Sequence, residues 1–186
     1  MKRIAEWTLP FILLGLLAGI AGAAGTPESY DAYLDSLYRG TVPLMTPAEL
    51  SNLMEDEQAD MLLLDIRTAA ERSVSYIPGS RFIDFESFTM DELDGVPRTQ
   101  QVVLYCAVGY RSERVGELIL EAGFSEVYNL YGGIIEWHNQ GLPTVVATGA
   151  GRNEVEKSPV VHGYSSRWGI WVSRGEVLYD PRPEGD

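Results

Sequence analysis

The sequence predicts an α/β domain on an open, mostly parallel sheet flanked by helices, followed by a small C-terminal β-hairpin. Three observations carry this. The short apolar runs Met61-Leu62-Leu63-Leu64-Asp65 and Gln101-Val102-Val103-Leu104-Tyr105 have the length and composition of strands buried on both faces. Helical patterns alternate with them, the clearest at 112–122, where Val115, Leu118, Ile119 and Ala122 share one face. The chain has 186 residues, 45% of them hydrophobic, which suits one domain with a sizeable core.

The elements follow in order. Lys2 and Arg3, an apolar run from Leu9 to Ile20 and the small residues Ala21-Gly22-Ala23-Ala24-Gly25 read as a secretory signal over 1–24. The run is shorter than the ~20 residues of a membrane span. The expectation is an exported protein, periplasmic if its source is bacterial, with no stable span after processing. An uncleaved anchor is the rival reading.

Residues 25–42 form a polar, tyrosine-rich extension with a short helix at 29–38, broken by Gly40 and Pro43. Thr46-Pro47-Ala48-Glu49 is a strong helix start, with Thr46 as cap and Pro47 in the first turn, and the helix should run to about 57. A strand at 61–65, a short helix at 68–73, a turn at Ile77-Pro78-Gly79-Ser80 and a short strand at 81–85 come next. A weak helix at 88–93 precedes the strand at 101–105. Gly123 stops the helix at 112–122. A strand at 126–130 and a helix at 134–139 complete a domain over 43–147. In the extension 148–186, a linker-like stretch leads to candidate strands at 168–173 and 176–179, with Arg174-Gly175 as the hairpin turn. A lone hairpin is marginal in water, so Trp168, Ile170 and Trp171 should pack on the domain or on a partner.

A formal net charge of −13 repels phosphate backbones and anionic lipid, which argues against nucleic-acid binding. The single cysteine excludes an intramolecular disulfide, so Cys106 is either inert in the core or kept for reactivity. Its placement favours reactivity. Tyr105-Cys106-Ala107-Val108-Gly109-Tyr110-Arg111-Ser112 sets it just after a buried strand and just before a helix. Sites in open α/β sheets lie beyond the carboxyl ends of the strands. There, loop amides form an anion-binding nest, and the helix start adds its positive dipole end. Gly109 permits an unusual backbone, and Arg111 adds a full charge. Together these favour an anionic sulfur.

The chain resembles the rhodanese family of sulfurtransferases over about 43–147. The matching pieces stand in the family's order: Leu63-Leu64-Asp65-Ile66-Arg67, Glu71, Tyr76-Ile77-Pro78-Gly79-Ser80, the segment from Cys106 to Ser112, Gly123-Phe124, Leu130-Tyr131-Gly132-Gly133-Ile134-Ile135-Glu136-Trp137, and Gly141-Leu142-Pro143. The resemblance implies that Cys106 is a persulfide-forming nucleophile, assisted by Arg111. Ala107, Val108, Gly109, Tyr110 and Ser112 would line the substrate loop, with Asp65 and Arg67 in support. It implies no cofactor and no metal. The partners it implies are a small sulfur-containing anion or thiol, or a dedicated sulfur donor or acceptor protein. The six-residue loop from Cys106 to Arg111 suits sulfur; the family's phosphatase-like relatives use a longer one. Tyr76 stands where the family often has histidine, and Ala107 and Tyr110 are uncharged, which weighs against thiosulfate as the physiological donor.

Simpler roles compete at each position. Arg111 has Glu113 and Glu117 within reach along a helix, Ser112 suits a helix cap, and Glu71 with Arg67 suits an i,i+4 pair. His138 and His162 are too far apart in sequence to suggest a metal site with one cysteine.

Overall fold

The computed structural model describes residues 29–148 and 154–179. The expected signal at 1–24 and part of the expected linker lie outside the described residues.

Helix α1, Tyr30–Leu37, starts on Ser29, whose side chain accepts the Ala32 N–H. A two-residue strand β1, Leu44–Met45, leads into α2, Pro47–Glu55. Here Thr46 and Glu49 form the expected capping box. Strand β2, Met61–Asp65, precedes α3, Ala69–Val74, which carries a second capping box from Thr68 and Glu71. Strand β3 is Arg81–Phe82. The weak helix expected at 88–93 is a pair of short 3-10 turns, Phe85–Ser87 and Met90–Leu93. Then come β4 (Gln101–Tyr105), α4 (Tyr110–Glu121), β5 (Val127–Leu130) and α5 (Gly133–Asn139).

Strands β1 to β5 form one sheet in the order β1-β5-β4-β2-β3, with every pairing parallel. Strand β4 is central, so its carboxyl end opens in the middle of the sheet edge. Alternation along the strands builds two apolar layers. Leu64, Ile66, Val102 and Leu104 meet Val115 and Ile119 of α4 on one face. Leu63, Val103 and Tyr105 meet Ile134 and Trp137 of α5 on the other. Each such buried aliphatic side chain stabilises the fold by roughly 1.5–3 kcal/mol. Leu118, expected on the inner face of α4, points outward; the buried stripe runs through Ser112, Val115, Gly116 and Ile119.

The C-terminal region departs from expectation. An antiparallel pair forms between β6 (Val145–Thr148) and β7 (Glu154–Lys157). Strand β8, Val160–His162, then pairs in parallel with β9, Glu176–Leu178. The hairpin about Arg174-Gly175 is therefore absent, and Trp168 lies in a one-turn helix α6, Ser166–Gly169. The physical reason is aromatic burial. Folding 163–173 away from a ladder lets Trp168 and Trp171 pack on the domain, as expected of them, while Ile170 stays 65% exposed. Among the described residues, no helix is long and apolar enough to cross a membrane.

Candidate active site

Cys106 is the first residue past β4 and is wholly buried, and Gly109 turns the chain into α4 with a left-handed φ of 90°. The Gly109 N–H donates to Cys106 Sγ at 3.2 Å. The start of α4 therefore presents the sulfur with an N–H from the positive end of the helix dipole.

The loop is clamped from behind by α5. The N–H groups of Ile134 and Ile135 donate to the carbonyls of Cys106 and Ala107, at 3.0 and 3.2 Å. A trans peptide points its C=O and N–H in opposite directions. This clamp therefore turns the amides of Ala107 and Val108 away from α5. Gly133 allows the approach, since a Cβ there would overlap both loop carbonyls.

Other side chains complete the frame. Asn129 Nδ2 donates to the Gly109 carbonyl at 3.0 Å, and Ser112 Oγ donates to Asn129 Oδ1 at 2.7 Å. Ser112 is therefore neither the helix cap, a position held by Gly109, nor a hydroxyl donor left over for substrate. The N-terminal extension takes part directly. Tyr38 Oη donates to the Val108 carbonyl at 2.7 Å and accepts the Gly132 N–H at 2.9 Å. Tyr30 Oη donates to the Gly132 carbonyl at 3.0 Å. Burial, reinforced by neighbouring groups that include Cys106, raises both phenols above the ordinary tyrosine value, so they stay neutral donors.

Arg111 is nearly buried, and its charge is met by a residue forty positions away. Its Nη1 and Nη2 donate to the two carboxylate oxygens of Glu71 at 2.7 and 2.6 Å, and its Nε has no partner. The Tyr164 ring lies over the guanidinium, 4.7 Å from centroid to Cζ. Burial opposes the guanidinium charge. The Glu71 hydrogen bonds and the nearby Cys106 outweigh that and hold Arg111 above its ordinary value. The Glu113 and Glu117 partners considered from sequence serve elsewhere: Glu113 accepts the backbone N–H groups of Arg39 and Thr41, and Glu117 pairs with Arg39 and Arg114.

Asp65 and Arg67 form a fully buried bidentate pair at 2.8 and 2.7 Å, and Arg72 adds a third contact to Asp65 at 3.0 Å. Arg67 also donates to the carbonyls of Glu71 and Ser75. The Arg67–Glu71 side-chain pair expected from i,i+4 spacing is thus replaced. Short α3 turns the Glu71 carboxylate toward its own capping box and Arg111, and leaves Arg67 the carbonyl. Tyr76, in the place of the family's histidine, lies under Arg72 at 3.9 Å in a cation–π contact.

Burial works against the Glu71 carboxylate, yet the hydrogen bonds and charge of Arg111 lower its pKa below the ordinary value. A carboxyl lowered on folding stabilises the native state above its unfolded value, about 4.3, and loses that contribution as pH falls through the folded one. Acid should therefore lower the urea midpoint of the native protein below about pH 4. Glu71→Gln should flatten that acid limb while costing stability at neutral pH. An unchanged limb would contradict the assignment.

Comparison with known proteins agrees with this geometry. The rhodanese-like domain family matches residues 46–140, and the chain belongs to that family. It is 36% identical over 100 residues to a sulfurtransferase of Allochromatium vinosum, spanning 54% of this chain and 92% of that one. It is 33% identical over 103 residues to a probable adenylyltransferase/sulfurtransferase, MoeZ, of Mycobacterium tuberculosis, covering 55% of this chain but only 26% of that protein. A tRNA uridine(34) hydroxylase of Cytophaga hutchinsonii is 33% identical over 98 residues, covering 50% of this chain and 30% of that protein. The rhodanese-like domain of an Anabaena protein shares the fold, with a TM-score of 0.50 and 22% identity over 55% of this chain and 77% of that one.

The structure brings Cys106, Ala107, Val108, Gly109, Tyr110, Arg111 and Ser112 into one loop and helix start, with Glu71 joining them and Asp65 and Arg67 beneath α3. Sequence reasoning missed Tyr30, Tyr38, Asn129 and Tyr164. For the first two a signal existed: Tyr30, Leu34 and Tyr38 recur every four residues, the spacing of one helix face.

Proposed function

We propose that the chain is a sulfurtransferase that carries sulfane sulfur as a persulfide on Cys106. The single observation that carries this reading is the placement of Sγ. It accepts the Gly109 N–H at the start of α4, while the loop's carbonyls are tied back to α5. Preorganised donors of this kind stabilise an anionic sulfur without reorganisation.

In the proposed reaction, the Cys106 thiolate attacks the outer sulfur of a donor. The donor's S–S bond breaks and its electron pair leaves with the departing group, sulfite from thiosulfate or a shortened chain from a polysulfide. The result is an anionic persulfide on Cys106. A thiophilic acceptor, cyanide or a thiol, then attacks the outer sulfur and restores the thiolate. No cofactor enters this cycle. Arg111 acts as a positioning residue: Glu71 takes both of its terminal nitrogens, and Nε is left.

The physiological donor is a small anion that carries sulfane sulfur, or a persulfide on a dedicated protein, with a thiol able to serve as acceptor, and the basic, apolar start of the chain supports an exported setting. A second reading, a carrier that gives its sulfur only to a bound protein, is favoured by the complete burial of Cys106. Intact-mass measurement after exposure to thiosulfate or polysulfide tests the proposal. The expected result is a gain of one sulfur on Cys106 that cyanide removes. No gain with either donor would overturn it, and a gain that small acceptors cannot discharge would select the carrier.

A further inference from the structure

The nucleophile proposed above is fully buried, yet a reactant must touch it. What covers the loop comes from outside the segment that matches the family. Trp168, Trp171 and Val172 pack against the cluster that Ala107 and Val108 of the loop form with Leu34 and Ile135. Tyr164 covers the Arg111 guanidinium and stacks on Trp168, with centroids 4.4 Å apart. Trp171 lies against Tyr30 and Tyr33, at 5.4 Å from each.

This covering is lightly fastened. Helix α6 is a single turn, and the backbone N–H groups of Trp168, Trp171 and Val172 bond within the segment. Its polar anchors on the domain are Tyr33 of α1, which interacts with the Trp168 and Arg167 side chains, and Asn139 of α5, whose Nδ2 donates to the Trp171 carbonyl and whose Oδ1 accepts the Ser173 N–H, at 2.9 and 2.8 Å. Tyr164 holds a left-handed φ of 60°, a conformation that costs a residue with a Cβ, and it remains 47% exposed. A half-exposed ring on a strained backbone, held over the loop arginine, is better explained by a role at the site than by core packing.

We propose that residues 163–173 form a roof over the Cys106 loop, and that Tyr164 and Trp168 determine which reactants reach the sulfur. Slight displacement admits small, unbranched sulfur species; bulky thiols require the roof to lift. The roof also shields a bound persulfide from bulk thiols and oxidants. This inference rests on the persulfide reading for its purpose, though not for its test.

The single cysteine makes alkylation of the full chain unambiguous. The thiolate displaces iodide from iodoacetamide, or adds to the double bond of a bulky biotin-maleimide, and intact mass gives each rate. Rates are normalised to free cysteine. The native protein should discriminate against the bulky reagent, and Trp168→Ala should raise the bulky rate at least about tenfold, as expected when a local opening becomes easier. Asn139→Ala, which loosens one anchor without touching the loop, should act in the same direction, with thermal melting reporting that each variant is folded. Equal normalised rates for both reagents in native protein, or no change in either folded variant, would overturn the roof. Gated alkylation in a chain that takes up no sulfur would keep the roof and remove the persulfide reading. Ungated alkylation in a chain that loads sulfur would do the reverse.

Discussion

Cys106→Ser is expected to lose sulfur transfer by roughly three orders of magnitude or more, the scale seen when a nucleophile is removed. The hydroxyl is smaller than the thiol, so it fits the same space, and it can still accept the Gly109 N–H. It cannot hold a sulfur as a persulfide. The loop frame is made by Ile134, Ile135, Asn129 and Tyr38, none of which bonds the sulfur. The variant should therefore melt close to the native protein and show no mass gain with any donor. Transfer activity retained in this variant would show that the chemistry lies elsewhere.

Asp65→Ala is expected to be the most destabilising single change beneath the site. It leaves the Arg67 guanidinium fully buried without its bidentate carboxylate, hydrogen-bonded to the carbonyls of Glu71 and Ser75 and set against the Tyr105 ring, and it removes one partner of Arg72. Breaking a buried pair on one side costs about 3–5 kcal/mol, because a charge is left without compensation. That is a large part of the roughly 5–15 kcal/mol that stabilises a domain. A urea titration measures it. The double variant Asp65→Ala/Arg67→Met should recover part of the loss, since it removes the stranded charge and keeps the packing. A double variant less stable than Asp65→Ala would show that Arg67 matters through its remaining carbonyl contacts.

The fold was legible where local rules suffice. Thr46 and Glu49 announce a helix start by themselves, and the runs at 61–65 and 101–105 have few alternatives to buried parallel strands. The placement of Cys106 was legible because it follows from order along the chain, strand then cysteine then glycine then helix. What stayed hidden depends on distance. Nothing near Glu71 or Arg111 in sequence marks them as partners, and the i,i+4 spacing from Arg67 gave Glu71 a sufficient local purpose. The two-residue strand β1 is too short for a periodicity. The C-terminal hairpin failed because Trp168 and Trp171 gain more from covering apolar surface than from a ladder at the edge of the domain.

The clamp on the cysteine loop also changes where the working unit ends. The family's segment stops at 140 and begins at 46, but the oxygen that holds the Val108 carbonyl in place belongs to Tyr38, and the ring above Arg111 belongs to Tyr164. Transplanting residues 46–140 into another scaffold would carry the sulfur and abandon the walls on either side. In this protein, selectivity is written in its margins, so relatives alike in the middle and different at both ends need not share a reactant.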